Sequence, residues 1–572
     1  MKKHLIILAF LPLTIAAQNS PFTREVEVER DYIPSVGEAT RLPGTPQTQQ
    51  PAQEKPDAPY SVWTNVAEVS APKQNLPAAE LPAAQYSRGD RFIRLGAGNY
   101  TSFLGDLFIP VISNERTSWI FDAGHRSTFG KITLDNDRKV QAKNNDNIVR
   151  TALEHRFDNS ILSADARFNR RDYNYYGVNS FIPETFPEIK EKAHFNDFSI
   201  GAGLRSLYLP ENNWDFNASL HYNYFKTQAD FAENHVAAKG GFLKNFNNDN
   251  IGINAALDFF SYANAPQGYF ESNFKNYAAV KLNPYYTHFF NDLEIRLGLN
   301  AWFAGKGEYS PALSPDVKVT FNVIENRLQL FAYAQGDYAL NSVARIMHEN
   351  PYTFALTRAE DTYTPFDLGA GAKVKITDNI VAKGSLGYKL IKNEYFYFPL
   401  GFWITDENNN PLGINGGVFD IFYSKVWQFY TNISLEGNWS DRFNTLLTWN
   451  YNHYSEDIDM WRIPQQEIRL SANYKLSEKI NLSASGYVAT RKARNSYSLY
   501  YDYYYVYVIG DYYDIGLKHN SIVDFSLGGT YKINNTFTAF LQLNNIFANK
   551  YHIWYGYNAQ RFNAMAGLTV SF

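Results

Sequence analysis

From about Arg91 to the C-terminus, apolar and polar residues alternate nearly one for one. In the last stretch Phe562, Ala564, Ala566, Leu568, Val570 and Phe572 share one parity, and Asn563, Met565, Gly567, Thr569 and Ser571 share the other. The same alternation runs through Phe537–Asn544, Val523–Tyr531, Ile480–Val488 and Ile468–Lys475. A β-strand sends successive side chains to opposite faces, so a period of two predicts strands with one apolar face each. A sandwich would bury that face under a second sheet, whereas a barrel turns it toward lipid.

Connection lengths decide between the two. Short polar turns are expected at Asp158-Asn159, Pro210-Glu211-Asn212, Asn247-Asn248-Asp249, Asn291-Asp292, Glu325-Asn326, Thr377-Asp378, Ser440-Asp441, Ser477-Glu478 and Asn534-Asn535. Longer segments rich in Tyr, Asn, Asp and Pro lie between them. Short periplasmic turns alternating with long extracellular loops mark an outer-membrane barrel. The expected fold class is all-β, a transmembrane antiparallel β-barrel of about 22 strands (20–22), with both termini periplasmic. Its first pair, near Phe92–Gly98 and Gly105–Ile112, is weakly patterned. Aromatics cluster where strands meet loops, at Tyr173, Tyr175 and Tyr176, at Tyr285, Tyr286, Phe289 and Phe290, and at Tyr395–Phe398. Such positions predict girdles at the bilayer interfaces.

The N-terminus has a different character. Lys2, Lys3 and His4 precede an apolar run from Leu5 to Ile15, then Ala16-Ala17. This pattern predicts a cleaved signal peptide over 1–17, too short for a membrane-spanning helix. Residues 18–88 contain ten of the 24 prolines and predict an extended periplasmic segment without a core. The barrel is assigned to 89–572. Mean hydropathy is −0.38, low for a helical membrane protein but ordinary for a barrel that hides apolarity in alternate residues. A net charge of −4 gathers no phosphates and excludes nucleic acid as a partner. With no cysteine, the chain has no disulfide framework, thiolate metal site or lipid-anchor Cys.

Candidate chemistry is sparse. No H-E-x-x-H, G-x-S-x-G or phosphate-loop pattern occurs, so no catalytic residue, metal or cofactor is assigned and the reading is not an enzyme. Glu456, Asp457 and Asp459 read as solvated loop acid. The 495–520 loop carries Tyr500, Tyr501, Tyr503, Tyr504, Tyr505, Tyr512 and Tyr513, a candidate recognition surface for glycans or proteins; strands extending past the membrane explain it equally well. Arg150, Glu154, Arg156, Asp165, Arg167, Asn169 and Arg171 share the parity expected to face the lumen. Cross-strand charge pairing accounts for them, with the excess of Arg pointing toward anionic groups.

The run Leu541-Gln542-Leu543-Asn544-Asn545-Ile546-Phe547-Ala548-Asn549-Lys550-Tyr551 resembles the penultimate strand of TonB-dependent receptors. Met565–Phe572 resembles their final strand, whose terminal aromatic is the insertion signal, here Phe572. The resemblance implies an outer-membrane location and a receptor or channel for solute uptake. Lipid and lipopolysaccharide, the barrel-insertion machinery and a periplasmic or surface lipoprotein are the partners it suggests. That family carries an N-terminal plug, which the proline-rich 18–88 segment cannot build, so the chain resembles plug-less, Bacteroidota-type relatives gated by other means. The rival readings are a non-transporting structural subunit of a barrel-insertion or surface-export assembly, and a substrate-specific porin. A barrel this wide is expected to be blocked, first by the loops 341–364 and 396–417, then by the 18–88 segment or a second protein.

Overall fold

The computed structural model describes residues 91–572 apart from 135–136, 178–191, 208–212, 266–273, 307–309, 354–358, 406–410, 457–462, 492–496, 503–504 and 514–520. The expected signal peptide and the 18–88 segment lie outside the described residues. Twenty-two strands form one antiparallel sheet, as the alternation predicts. Each strand pairs with its neighbours in sequence. The sheet closes where Phe92–Gly98 pairs with Asn563–Ser571, in a register running from Phe92↔Ser571 to Gly98↔Met565. The weakly patterned first pair is present as Phe92–Gly98 and Ser102–Ser113.

The expected short turns fall at the end that carries both termini, which in outer-membrane barrels faces the periplasm, apart from Pro210-Glu211-Asn212, which lies outside the described residues. One more joins them, between Ser113 and Thr117, where Asn114 Oδ1 accepts from the Arg116 and Thr117 amides at 3.0 and 2.6 Å. Asn534 does the same for Thr536 and Phe537. A short side-chain acceptor folding back on its own backbone is why Asn, Asp and Ser end these strands.

One parity of each strand carries exposed Leu, Ile, Val and Phe, for example Leu541, Leu527, Val488, Leu470 and Leu257. Water-facing apolarity on this scale is the lipid band of a membrane barrel. Where eight of the short turns begin, this band ends on a large apolar residue: Phe157, Phe246, Phe290, Ile324, Ile376, Trp439, Leu476 and Ile533, with Phe572 63% exposed beside them. The turns therefore rise barely a residue or two from the inner leaflet. On the opposite parity Asn563, Thr569, Asn544, Asp524, Ser526 and Asn300 are buried against the lumen wall.

Most strands have 7 to 16 residues, but Ile380–Thr405 and Pro411–Ser440 have 26 and 30. Their outer neighbours stop pairing at Lys392 and Gln428. Beyond those points the two strands pair with each other, from Glu394↔Ser424 to Thr405↔Pro411. At ~3.3 Å per residue this ribbon runs about 40 Å past the rim.

Candidate functional site at the barrel mouth

At the long-loop end, side chains from around the circumference share one buried cluster. It joins Ile132 and Leu134, Tyr173 and Tyr176, Phe195, Phe225, Phe231, Val343–Met347, Tyr352, Tyr395 and Tyr397, Phe419, Tyr487 and Tyr551–Ala559. These residues come from strands on opposite sides of the barrel, so the loops that carry them meet across the mouth.

The centre is a short helix, α1, Val343–Glu349. Ser342 caps it, its hydroxyl accepting from the Arg345 amide at 3.0 Å. Val343, Ala344, Ile346 and Met347 are buried. Seven residues are too few for a helix to persist alone. This one is held by the walls. Glu233 accepts from the Val343 and Ala344 amides at 2.9 and 3.3 Å, placing a carboxylate on the helix's unpaired donors. At the other end His348 Nε2 bonds Asp197 at 2.8 Å, and Asp197 also accepts from Arg167 and Asn223. Glu349 accepts from Tyr395 and Tyr397 at 2.7 and 3.1 Å, which ties α1 to the long ribbon. The backbone continues into that ribbon through a parallel bridge, Thr353↔Phe419, with the Phe419 amide donating to Tyr352 O at 2.9 Å.

Residues 341–353, which carry α1 across the mouth, form a strap whose first residue, Asn341, is fixed by Asp361. Its carboxyl accepts from Tyr277, Tyr338 and the Asn341 amide at 3.4, 3.2 and 3.3 Å. Burial pushes this carboxyl up to about 6, against the opposing pull of Lys306 and the three donors.

A second loop unit faces the strap. Within 545–562, Asn545 bonds the carbonyls of Asn549 and Gln560. Tyr551 donates to Asp524 at 2.6 Å. The Arg491 guanidinium reaches the His552 and Ile553 carbonyls, and burial lowers it to about 10. Lys550 and Asn558 bond the carbonyls of Leu134 and Thr133 in the Lys131–Gln141 hairpin, and Gln560 bonds Thr128. The two units meet ring against ring. Tyr352 and Tyr557 stack with centroids 3.5 Å apart and planes 20° apart. Tyr176 lies on Tyr557 at 4.9 Å, and Tyr397 and Phe419 lie on Trp554 at 4.9 and 5.4 Å.

Several aromatic expectations are corrected here. Tyr173, Tyr176, Tyr395 and Tyr397 are buried in the loop cluster, and Phe396 and Phe398 are buried beside the ribbon, so none of them forms a girdle. Ring faces find enough apolar partners in neighbouring loops to leave the interface. Tyr286, Phe289 and Phe290 do lie exposed at the short-turn rim.

Among the arginines singled out from sequence, Arg150 pairs with Asp122 at 2.7 Å, Arg167 with Asp197 at 3.2 Å, and Arg171 bonds Asn144. Arg156 is exposed near the short turns. Arg167 contacts Asp197, one of the groups that hold α1. Tyr500, Tyr501, Tyr505, Tyr512 and Tyr513 lie on a two-stranded hairpin, Tyr497–Asp502 with Tyr505–Tyr513, whose side chains are outside the described residues. Tyr503, Tyr504, Asp457 and Asp459 are outside them too. Sequence reasoning missed Glu233, Asp197, His348 and Asp361. The helix itself had a signal: Ser342, then apolar residues at helical spacing, then Asn350-Pro351.

No family model and no curated protein matches the sequence. The fold is similar to solved structures of siderophore receptors. A mutant of the ferric enterobactin receptor PfeA of Pseudomonas aeruginosa aligns with TM-score 0.60 and 12% identity, over 88% of this chain and 84% of that one. The siderophore receptor PirA of Acinetobacter baumannii aligns with TM-score 0.59 and 10% identity, over 84% and 80%. FpvA of P. aeruginosa, solved with pyoverdines, aligns with TM-score 0.57 and 12% identity, over 84% and 71%. At such identities the likeness is one of fold: this chain is a 22-stranded outer-membrane barrel similar in fold to those receptors.

Proposed function

We propose that this protein is an outer-membrane receptor or channel for solute uptake, and that its own inward-folded loops gate it in place of a plug domain. The observation that carries the reading is the strap 341–353, anchored on opposite walls by Glu233, Asp197 and Tyr395. A 22-stranded barrel is wider than the 16–18-stranded porins that already pass water and solutes, so an ungated one would leak. A structural barrel without a transport role needs a filled mouth less than it needs an outer surface. The similar solved structures are receptors for ferric siderophores, which supports uptake of a solute too large for porins.

Replacing 342–353 by a short Gly/Ser linker tests this. The intact barrel in planar bilayers is expected to stay closed apart from brief spontaneous openings, and the linker variant to hold a stable conductance larger than that of a general porin. A large stable conductance from the intact barrel, or a closed and folded linker variant, would overturn it. The ribbon beyond the rim favours one second reading, a subunit that docks a surface lipoprotein. Co-elution of such a partner with the full chain, lost on shortening the ribbon, would support it.

A further inference from the structure

We propose that the lid opens as two leaves, which part along the Tyr352–Tyr557 seam while α1 stays on its wall. This rests on the gated-uptake reading.

The first leaf is the strap with the base of the long ribbon and residues 173–177, whose rings lie on Tyr352, held by Glu233, Asp197, Glu349 and Asp361. The second is the 545–562 loop with the Lys131–Gln141 hairpin, held by Asp524 and Arg491. Each leaf is tied to its wall by hydrogen bonds that involve buried charged groups. Detaching α1 would strip the amides of Val343 and Ala344 from Glu233, and His348 from Asp197. Buried charges that lose their partners are among the most costly changes available to a folded chain. The seam is different in kind. It is dominated by stacked and edge-on rings, Tyr352 on Tyr557, Tyr176 on Tyr557, and Tyr397 and Phe419 on Trp554. Ring faces separate at the cost of apolar area, and no charge is left without a partner. The Tyr176 hydroxyl donates to Asn558 O at 3.0 Å here, and a tyrosine hydroxyl exchanges such a bond for water as the gap opens. The backbones approach closely at this point: a Cβ on Gly177 would lie 2.8 Å from Gly556 O, and Gly556 has φ +79.

Hydrogen exchange on the full chain in lipid nanodiscs tests the order of events. Amides of 551–558 are expected to exchange faster than those of α1. Tyr557→Ala should speed 551–558 by about tenfold and leave α1 unchanged. If α1 exchanges as fast as 551–558 or faster, or is released by Tyr557→Ala, the proposal is overturned. The absence of native cysteine allows a second measurement, cross-linking a Tyr352→Cys/Tyr557→Cys pair with a short bis-thiosulfonate. Spontaneous openings in bilayers should be suppressed and return on reduction, while a Lys131→Cys/Gln141→Cys link within one leaf leaves them unchanged. Openings that persist through the first link refute the seam. A barrel that never conducts, even with the strap replaced, refutes the uptake reading, while the exchange order still judges the seam.

Discussion

Replacing Glu233 by Gln probes the lid at its most buried anchor. Glu233 is 1% exposed and accepts two backbone amides at the start of α1. The carboxylate offers two acceptor oxygens; the amide keeps one and turns its NH₂ toward the other donor. One charge-assisted hydrogen bond is lost, worth about 1.5–3 kcal/mol. A carboxylate at a helix N-terminus adds about 0.3–1 kcal/mol, and relief of the buried charge returns part of the sum. A net loss of about 2–3 kcal/mol raises the population of undocked α1 about 30- to 150-fold. The barrel itself has neighbouring ladders on both sides of Ala232–Phe246 and keeps its register. Hydrogen exchange of residues 343–349 should therefore accelerate by that factor while the protein still runs as a heat-modifiable band in cold SDS. Unchanged α1 exchange in a folded barrel would show that the Glu233 bonds do not hold the strap.

Asp361 predicts a pH effect of opposite sense to that of an ordinary paired carboxylate. Its folded value, about 6, lies above the usual 3.8, so its stabilisation is greatest below pH 3.8 and is lost as pH rises through 6. Once the intrinsic pH dependence of amide exchange is divided out, the strap should be better protected at pH 5 than at pH 7.5, and Asp361→Asn should remove that difference in protection; wild-type protection indifferent to pH in this range refutes it. Deleting Phe572, whose side chain is 63% exposed and whose amide donates to Arg91 O at 3.0 Å, removes about 1.5–3 kcal/mol at most. A severe loss of outer-membrane protein on its deletion would identify it as an insertion signal, and normal surface levels would not. Deleting 18–85 should leave the heat-modifiable barrel intact, since a proline-rich segment contributes little core; failure to assemble would show that the segment is structural.

What the sequence determined by itself was the barrel. A strand's two faces are set by parity, and lipid is a uniform solvent that asks of one face only that it be apolar. Leu568, Leu541 and Leu527 therefore declared their direction without any partner being known. Most of the turns were legible for the same local reason, as where Asn534 bonds its own backbone, although the like turn at Asn114 was missed. The lid was decided by tertiary structure. Tyr173 and Tyr395 sit at strand ends, where a girdle and an inward-packed loop have the same composition; what separates them is which other loops arrive at the same place. Tyr352 and Tyr557 stack across a gap of some 200 residues in sequence, and no periodicity spans it. Nothing in the sequence around Glu233, Asp197 and Asp361 sets them apart from other acids until the strap covers them. Their role comes from burial against groups brought from other strands, and burial is a property of the folded chain.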